Sequence, residues 1–192
     1  MRKLIAGMKI SVDGKSEAPE GGGPDWVHAW SDNYGVMQEV DACLLGGGMF
    51  PGYEQYWGAI LKAPDKPLPM TGRLPMPDEV EYARFAARVP HYVLSSTLSS
   101  AQWPNTTFVR GLDEITALKR QRGKAIYLVG GSRTTSSLIT AGLVDELRLI
   151  LYPLIAGEGK RLFDSPNGRH GLELRNVQQL DGGRVSLIYE MA

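Results

Sequence analysis

Lys124-Ala-Ile-Tyr-Leu-Val-Gly-Gly-Ser-Arg-Thr-Thr135 joins an apolar run, two glycines and a group of hydroxyls around one arginine. Ala125 to Val129 reads as a buried strand, Gly130 and Gly131 as a turn, and Ser132 to Thr135 as the start of a helix. Ser132 or Thr134 is placed to cap that helix. Glycines lack a Cβ, so the backbone can approach a ligand closely and take positive φ. The N–H groups at a helix N-terminus attract phosphate, and Arg133 adds a fixed charge with several donors. A cradle for a nucleotide pyrophosphate and an ordinary strand-to-helix turn both fit these residues.

Two other apolar runs end in a similar way. Asp41 to Leu45 precedes Gly46-Gly47-Gly48, and His91 to Leu94 precedes Ser95-Ser96-Thr97. Three glycines in a row cost backbone entropy and point to a close approach. Hydroxyls at a strand's carboxyl end bind phosphate or cap a turn. A first strand is expected over Leu4 to Val12, interrupted by Lys9 and ended by the Asp13-Gly14 turn. Gly14 to Pro24 reads as a mobile loop. Trp26 to Val40 is expected to hold a helix, capped by Ser31 or Asp32, with Tyr34, Met37 and Val40 on one face. Further helices are expected over Tyr53 to Leu61, Asp78 to Arg88 and Leu112 to Arg122, the last ended by Gly123. After Gly131, Leu138, Ile139 and Leu143 form an apolar helix face, stopped at Gly142. A short strand is expected over Thr107 to Val109, and beyond Gly142 strands follow over Leu147 to Ile155, Leu172 to Val177 and Val185 to Met191, the last two pairing around Asp181-Gly182-Gly183.

Strands and helices alternate, and then only strands remain. That order implies an α/β fold with a mainly parallel sheet, helices on its faces, and an antiparallel C-terminal edge. In open α/β sheets ligands bind beyond the carboxyl ends of the strands. Three glycine or hydroxyl clusters behind three separate strands are therefore the residue-level argument for a nucleotide site. The reading is one domain over 1–192, with a proline-rich insertion around 62–90 carrying Pro64, Pro67, Pro69, Pro75 and Pro77.

Composition narrows the function classes. The 192 residues are 43% hydrophobic, which excludes whole-chain disorder. Lys+Arg and Asp+Glu are equal at 21 each, so no overall basic excess points to nucleic acid. The single cysteine, Cys43, excludes an internal disulfide and a Cys-rich zinc site. It reads as a small buried strand residue. His28, His91 and His170 share no ligand spacing, and no metal is expected. No apolar run approaches the ~20 residues that span a bilayer. The residues from Met1 to Met8 lack the apolar core of an export signal. The expected compartment is the cytoplasm, with no membrane partner.

Five motifs occur in order: Lys9-Ile-Ser-Val-Asp-Gly-Lys15, Asp41-Ala-Cys-Leu-Leu-Gly46, Val93-Leu-Ser-Ser-Thr97, Tyr127-Leu-Val-Gly-Gly-Ser132, and Gly142-Leu-Val-Asp-Glu-Leu147 running on to Pro153 and Gly157-Glu-Gly159. With them the chain resembles the dihydrofolate reductase-like superfamily, most closely the branch holding the reductase domain of bacterial riboflavin biosynthesis. The resemblance implies a three-layer α/β/α fold with a mixed, mostly parallel sheet of about eight strands. It also implies NADPH bound in an extended pose, with NADH as the alternative. No Gly-x-Gly-x-x-Gly follows the first strand, so this is not a Rossmann site.

By that resemblance Gly130, Gly131, Ser132, Arg133 and Thr134 hold the pyrophosphate. Ser95, Ser96 and Thr97 sit at the adenosine 2′-phosphate, and Gly46, Gly47, Gly48 and Met49 open a helix under the phosphates. Ala6, Asp13 and Trp26 lie beside the substrate, and Asp13 or Asp32 assists proton delivery. Asp13 also suits a plain turn and Asp32 a plain helix cap. Trp30 and Trp57 belong either to that pocket or to the core.

The chain departs from the family pattern in three ways. Gly47 stands where many members carry an arginine that reads the 2′-phosphate, the motif around Gly46 departs from the Gly-x-x-Thr run typical of the riboflavin enzyme, and that enzyme's zinc-binding deaminase motifs are missing. The expected activity is hydride transfer from NAD(P)H to a small heterocycle, a pterin or a ribosylamino-pyrimidine. The alternative is a non-catalytic nucleotide-binding or oligomeric scaffold. A homodimer is expected through Leu147, Leu149, Leu151 and the strands after Gly171.

Overall fold

In the computed structural model, which describes residues 1–21, 23–28, 30, 34–163 and 168–192, the chain forms strands β1 (Leu4–Ser11), β2 (Lys15–Glu17), β3 (Val40–Gly46), β4 (His91–Leu94), β5 (Thr106–Val109), β6 (Ala125–Gly130), β7 (Glu146–Tyr152), β8 (Lys160–Arg161), β9 (Leu172–Gln179) and β10 (Val185–Met191). Four α-helices lie between them: α1 (Phe50–Lys62), α2 (Pro77–Ala86), α3 (Leu112–Arg120) and α4 (Ser132–Thr140). Eight strands form one sheet in the order β5-β4-β3-β6-β1-β7-β10-β9. β1 lies at its centre, parallel to β6 and β7, with Ala6 opposite Leu128 and Leu147. Among the described residues, only the β7-β10 and β10-β9 pairs of this sheet run antiparallel. The sheet is therefore mixed and mostly parallel, with an antiparallel C-terminal edge.

Alternation along the strands builds two cores. Leu4, Ala6, Met8 and Ile10 of β1 pack with Ala42, Leu44, Ile126, Leu128, Leu147 and Leu149 under α3 and α4. Ile5, Cys43, Leu45, Val93 and Tyr127 point the other way, under α1 and α2. In α1 the buried residues are Phe50, Tyr53, Tyr56, Trp57 and Ile60, a stripe at helical spacing. Helices on both faces make three layers. Cys43 is fully buried, and burial pushes its thiol up to about 12.

Four expectations are corrected. Leu147 and Leu149 belong to the core, which removes them from any dimer surface. The loop 14–24 is not wholly irregular, because β2 pairs with β8 in a second, two-stranded sheet. β7 ends at Tyr152 rather than Ile155. Segment 26–40 holds no α-helix among its described residues, only a 3-10 turn at Val36–Gln38. Tyr34 and Gly35 both take positive φ, 59° and 69°, which a right-handed helix cannot accept. Apolar spacing over 34–40 imitated a helix that these dihedrals forbid.

Charged side chains hold that segment instead. Arg73 donates to the His28 carbonyl at 2.8 Å and grips Glu79 with two bonds of 2.8 Å. Glu79 also accepts from the Trp30 N–H at 2.7 Å, the Tyr56 hydroxyl at 2.6 Å and the Met76 N–H at 2.9 Å. Arg148, buried in β7, donates to the Tyr34 carbonyl at 2.7 Å and to Glu39 at 2.8 Å. The proline-rich stretch is thus tied to the chain that crosses β1.

Burial of Glu79 would raise its pKa. The Arg73 fork outweighs it, helped by the Met76, Tyr56 and Trp30 donors, and lowers the carboxyl to about 2. His91 is buried, with Nδ1 donating to the Val89 carbonyl and Nε2 accepting from Tyr53, and burial lowers it to about 4. The unfolded chain binds protons more readily at both groups, so stability falls as pH falls. Denaturation midpoints should drop as His91 is passed between pH 6.5 and about 4, and again for Glu79 between 4.5 and about 2. Glu79→Gln should cost roughly 3 kcal/mol at neutral pH and flatten the decline below pH 4.5.

Candidate functional site

Neighbouring strands β3 and β6 send their chains to opposite faces. β3 leads into α1 on one side, and β6 leads into α4 on the other. Such a switch point leaves a crevice between the carboxyl ends of the two strands. Gly46 ends β3, and the Met49 N–H bonds back to its carbonyl at 3.1 Å before α1 starts. Gly130 and Gly131, at φ 135° and 92°, make the turn from β6 into α4. Left-handed and extended-positive values of this kind suit glycine.

The glycines are sites of close approach. A Cβ on Gly46 would overlap the Thr134 hydroxyl, and one on Gly47 would sit 2.6 Å from Cβ and Oγ of Ser95. A Cβ on Gly131 would stand 3.9 Å from the Met49 Cβ. The clusters at 46–49, 95 and 130–134 therefore share one rim. Neither α1 nor α4 has a side-chain cap, so the first-turn N–H groups of both helices lack a side-chain acceptor there. Two helix dipoles and the exposed Arg133 make this rim electropositive.

Ser132 and Thr134 do not cap α4 as the sequence predicted. Gly131 takes the cap position. The Ser132 hydroxyl instead donates to Glu17 Oε1 at 3.2 Å, which also receives Lys160 Nζ at 3.2 Å. The small β2-β8 sheet is thereby fastened to the start of α4. Near β4, Ser95 Oγ accepts the Leu98 N–H at 3.0 Å and the Thr97 N–H at 3.3 Å, closing a turn. Ser96 and Thr97 are exposed on that turn.

On the substrate side the expected residues separate. Ala6 is fully buried in the core under α3 and α4, so its side chain meets no open surface. Gly7, one residue on, opens the opposite face, where a Cβ would meet the rings of Tyr34 and Tyr127 at 2.7–2.9 Å. Trp57 is core. Trp30 packs at the edge of the α1-α2 core, its ring centroid 4.9 Å from Lys9 Nζ. Trp26 lines an open cleft of 290 Å³ with Pro19, Asp25, Leu154, Ala156 and Glu158, and its indole N–H is buried without a partner. Asp32 lies outside the described residues.

Asp13 reaches the same cleft through Ala156. Its Oδ1 accepts from the Ser11 hydroxyl at 2.6 Å and the Ala156 N–H at 2.9 Å, and Oδ2 from the Gly157 N–H at 2.9 Å. The Ser11 hydroxyl, with these backbone donors, holds its carboxyl at about 2. An acid that strong stays ionised at neutral pH, which suits anchoring of the 156–157 loop better than proton delivery.

Sequence reading missed Gly7, Glu17, Glu79 and Arg73. Lys9 was visible as a charge inside an apolar strand, and it is the residue buried against Trp30. No local pattern marks the others, because their partners lie far along the chain.

The Gly46-Thr134 contact generates a double-mutant test. Gly46→Ala should destabilise the protein by about 1–3 kcal/mol through overpacking. Adding Thr134→Ala should recover much of that loss, a coupling that urea denaturation would measure. Equal instability of the single and double variants would contradict the close approach.

The chain is 28% identical to the uncharacterized protein YyaP of Bacillus subtilis (strain 168) over 192 residues, covering 98% of this chain and 94% of that one. Its fold is similar to that of RibD from Acinetobacter baumannii, with a TM-score of 0.68 at 15% identity, covering all of this chain and 58% of the RibD chain. It is also similar to dihydrofolate reductase from Enterococcus faecalis complexed with NADP(H), with a TM-score of 0.62 at 18% identity, covering 98% and 96% of the two chains. The fold is thus dihydrofolate reductase-like, and residues 2–186 match the RibD C-terminal domain, which shows that the chain belongs to the RibD C-terminal domain family.

Proposed function

We propose that this protein is an NAD(P)H-dependent reductase acting on a small heterocycle, a pterin or a ribosylamino-pyrimidine. The observation that carries the reading is the shared rim at the switch point, where two uncapped helix N-termini, Arg133 and the Ser95 turn converge. A pyrophosphate fits it: the donors are backbone N–H groups, the charge is positive, and Gly48 is exposed with open space where a Cβ would be. The bound dinucleotide would supply a hydride.

The chain's own task is then to position and to exclude water. Gly46 to Met49 and Gly130 to Thr134 hold phosphate oxygens. Ser96 and Thr97 offer hydroxyls beyond them. Trp26 forms part of the wall of the cleft beside Ala156. Asp13 fixes that loop. The apolar side chains of β9 left exposed, Leu172, Leu174 and Val177, support a homodimer across this edge.

One observation favours the second reading, a nucleotide-binding scaffold without turnover: both carboxylate oxygens of Asp13 are already engaged by Ser11, Ala156 and Gly157. Titration of protein fluorescence with NADPH, followed by NADPH consumption with pterin and pyrimidine substrates, separates the two. Saturable binding with turnover supports the reductase. Saturable binding without turnover supports the scaffold, and no binding rejects both. Arg133→Gln should weaken NADPH about tenfold or more, the value of a charge-assisted bond, with an unchanged denaturation midpoint.

A further inference from the structure

An anion of the protein itself already stands at the start of α4. Glu17 Oε1 accepts from the Ser132 hydroxyl at 3.2 Å and pairs with Lys160 Nζ at 3.2 Å. Ser132 is the first residue of α4 and is buried, so the carboxylate meets it inside the helix mouth. It leaves the first-turn N–H groups alone, because α4 has no side-chain cap.

The small sheet holds this pair in place. Glu17 of β2 lies opposite Lys160 of β8, and Lys15 lies opposite Arg161. Gly159, at φ 104°, lets the two strands close, since a Cβ there would overlap the Glu17 carbonyl oxygen. Lys15 Nζ donates to the Gly159 carbonyl at 3.1 Å, and the Ser16 hydroxyl to the Lys160 carbonyl at 3.4 Å. Glu17 is the one carboxylate on a sheet that otherwise carries Lys15, Lys160 and Arg161.

The pair has a chemical consequence. A carboxylate near a helix N-terminus is stabilised by the dipole, as a phosphate would be. A hydroxyl and an ammonium are donors that a phosphate oxygen also uses. Two anions a few ångströms apart repel each other, so carboxylate and phosphate compete for the place. The side chains of Glu17 and Lys160 are 26% and 37% exposed, which leaves the first a path to water. Lysine carries its charge on a flexible stem and turns readily from one anion to another.

We propose that Glu17 is an internal competitor for the phosphate place at α4, and that Lys160, held in reserve by it, becomes a ligand of the dinucleotide's phosphates. The proposal rests on the nucleotide-binding reading above. Fluorescence titration with NADPH of wild type, Glu17→Gln and Lys160→Gln tests it, with the urea midpoint of each protein as control. Glu17→Gln should bind NADPH about three- to tenfold more tightly than wild type. Lys160→Gln should bind it about three- to tenfold more weakly. ADP, used as a competitor, should show the same two shifts.

The opposite signs decide the matter. A merely structural ion pair is broken equally by either substitution. Shifts in the same direction, or unchanged affinity in either variant, would therefore overturn the proposal while leaving nucleotide binding intact. Adenosine, which lacks phosphate, should displace NADPH from all three proteins with an unchanged inhibition constant; opposed shifts for adenosine as well would overturn the assignment to phosphate. Binding of NADPH by none of the three would remove the nucleotide reading itself. Should Glu17→Gln fold poorly, Glu17→Ala removes the same charge and should show the same gain.

Discussion

The fold turns on the divergence of two neighbouring parallel strands. β3 and β6 lie side by side, yet the chain leaves β3 toward one face of the sheet and β6 toward the other. A crevice is then left between their carboxyl ends. The contact that sets the width of this gap is between Gly46 and Thr134, where a hydrogen on one residue faces a hydroxyl on the other. Close packing of this kind transmits small changes in volume directly to the rim.

Charge is distributed unevenly around that gap. The helix N-termini and Arg133 make the β3-β6 side positive. The acidic groups nearby are already engaged: Glu17 with Lys160 and Ser132, Asp13 with Ser11 and two backbone N–H groups. An anion entering the rim therefore meets donors and few free carboxylates. The Ser132-Glu17 bond places one carboxylate at the mouth of α4, so the β2-β8 sheet and an incoming phosphate address the same helix end.

On the other side of the sheet, ion pairs replace secondary structure. The described residues of segment 26–40 hold no α-helix, and Arg73, Glu79 and Arg148 bind their backbone groups instead. A buried pair is costly to desolvate, but with its remaining lone pairs filled it holds a defined geometry. Glu79 accepts from Trp30, Met76, Tyr56 and Arg73 together. Through it the proline-rich stretch reaches the wall that holds Trp30 against Lys9.

The sequence by itself determined the strand-turn-helix at 124–135, the glycine and serine ends of β3 and β4, the antiparallel edge and the burial of Cys43. These follow from local periodicity, from the sterics of glycine and from apolar runs, which need no knowledge of distant partners. It set an α-helix through 34–40 where the described chain has none, because apolar spacing carries no sign of the positive φ at Tyr34 and Gly35. It could not show that Ala6 faces the core while Gly7 faces Tyr34, or that Asp13 is held by residues 156 and 157. Tertiary structure decided those points, along with the partners of Glu79. Hydrogen bonds and close contacts between residues far apart in the chain exist only once the sheet has brought its strands together.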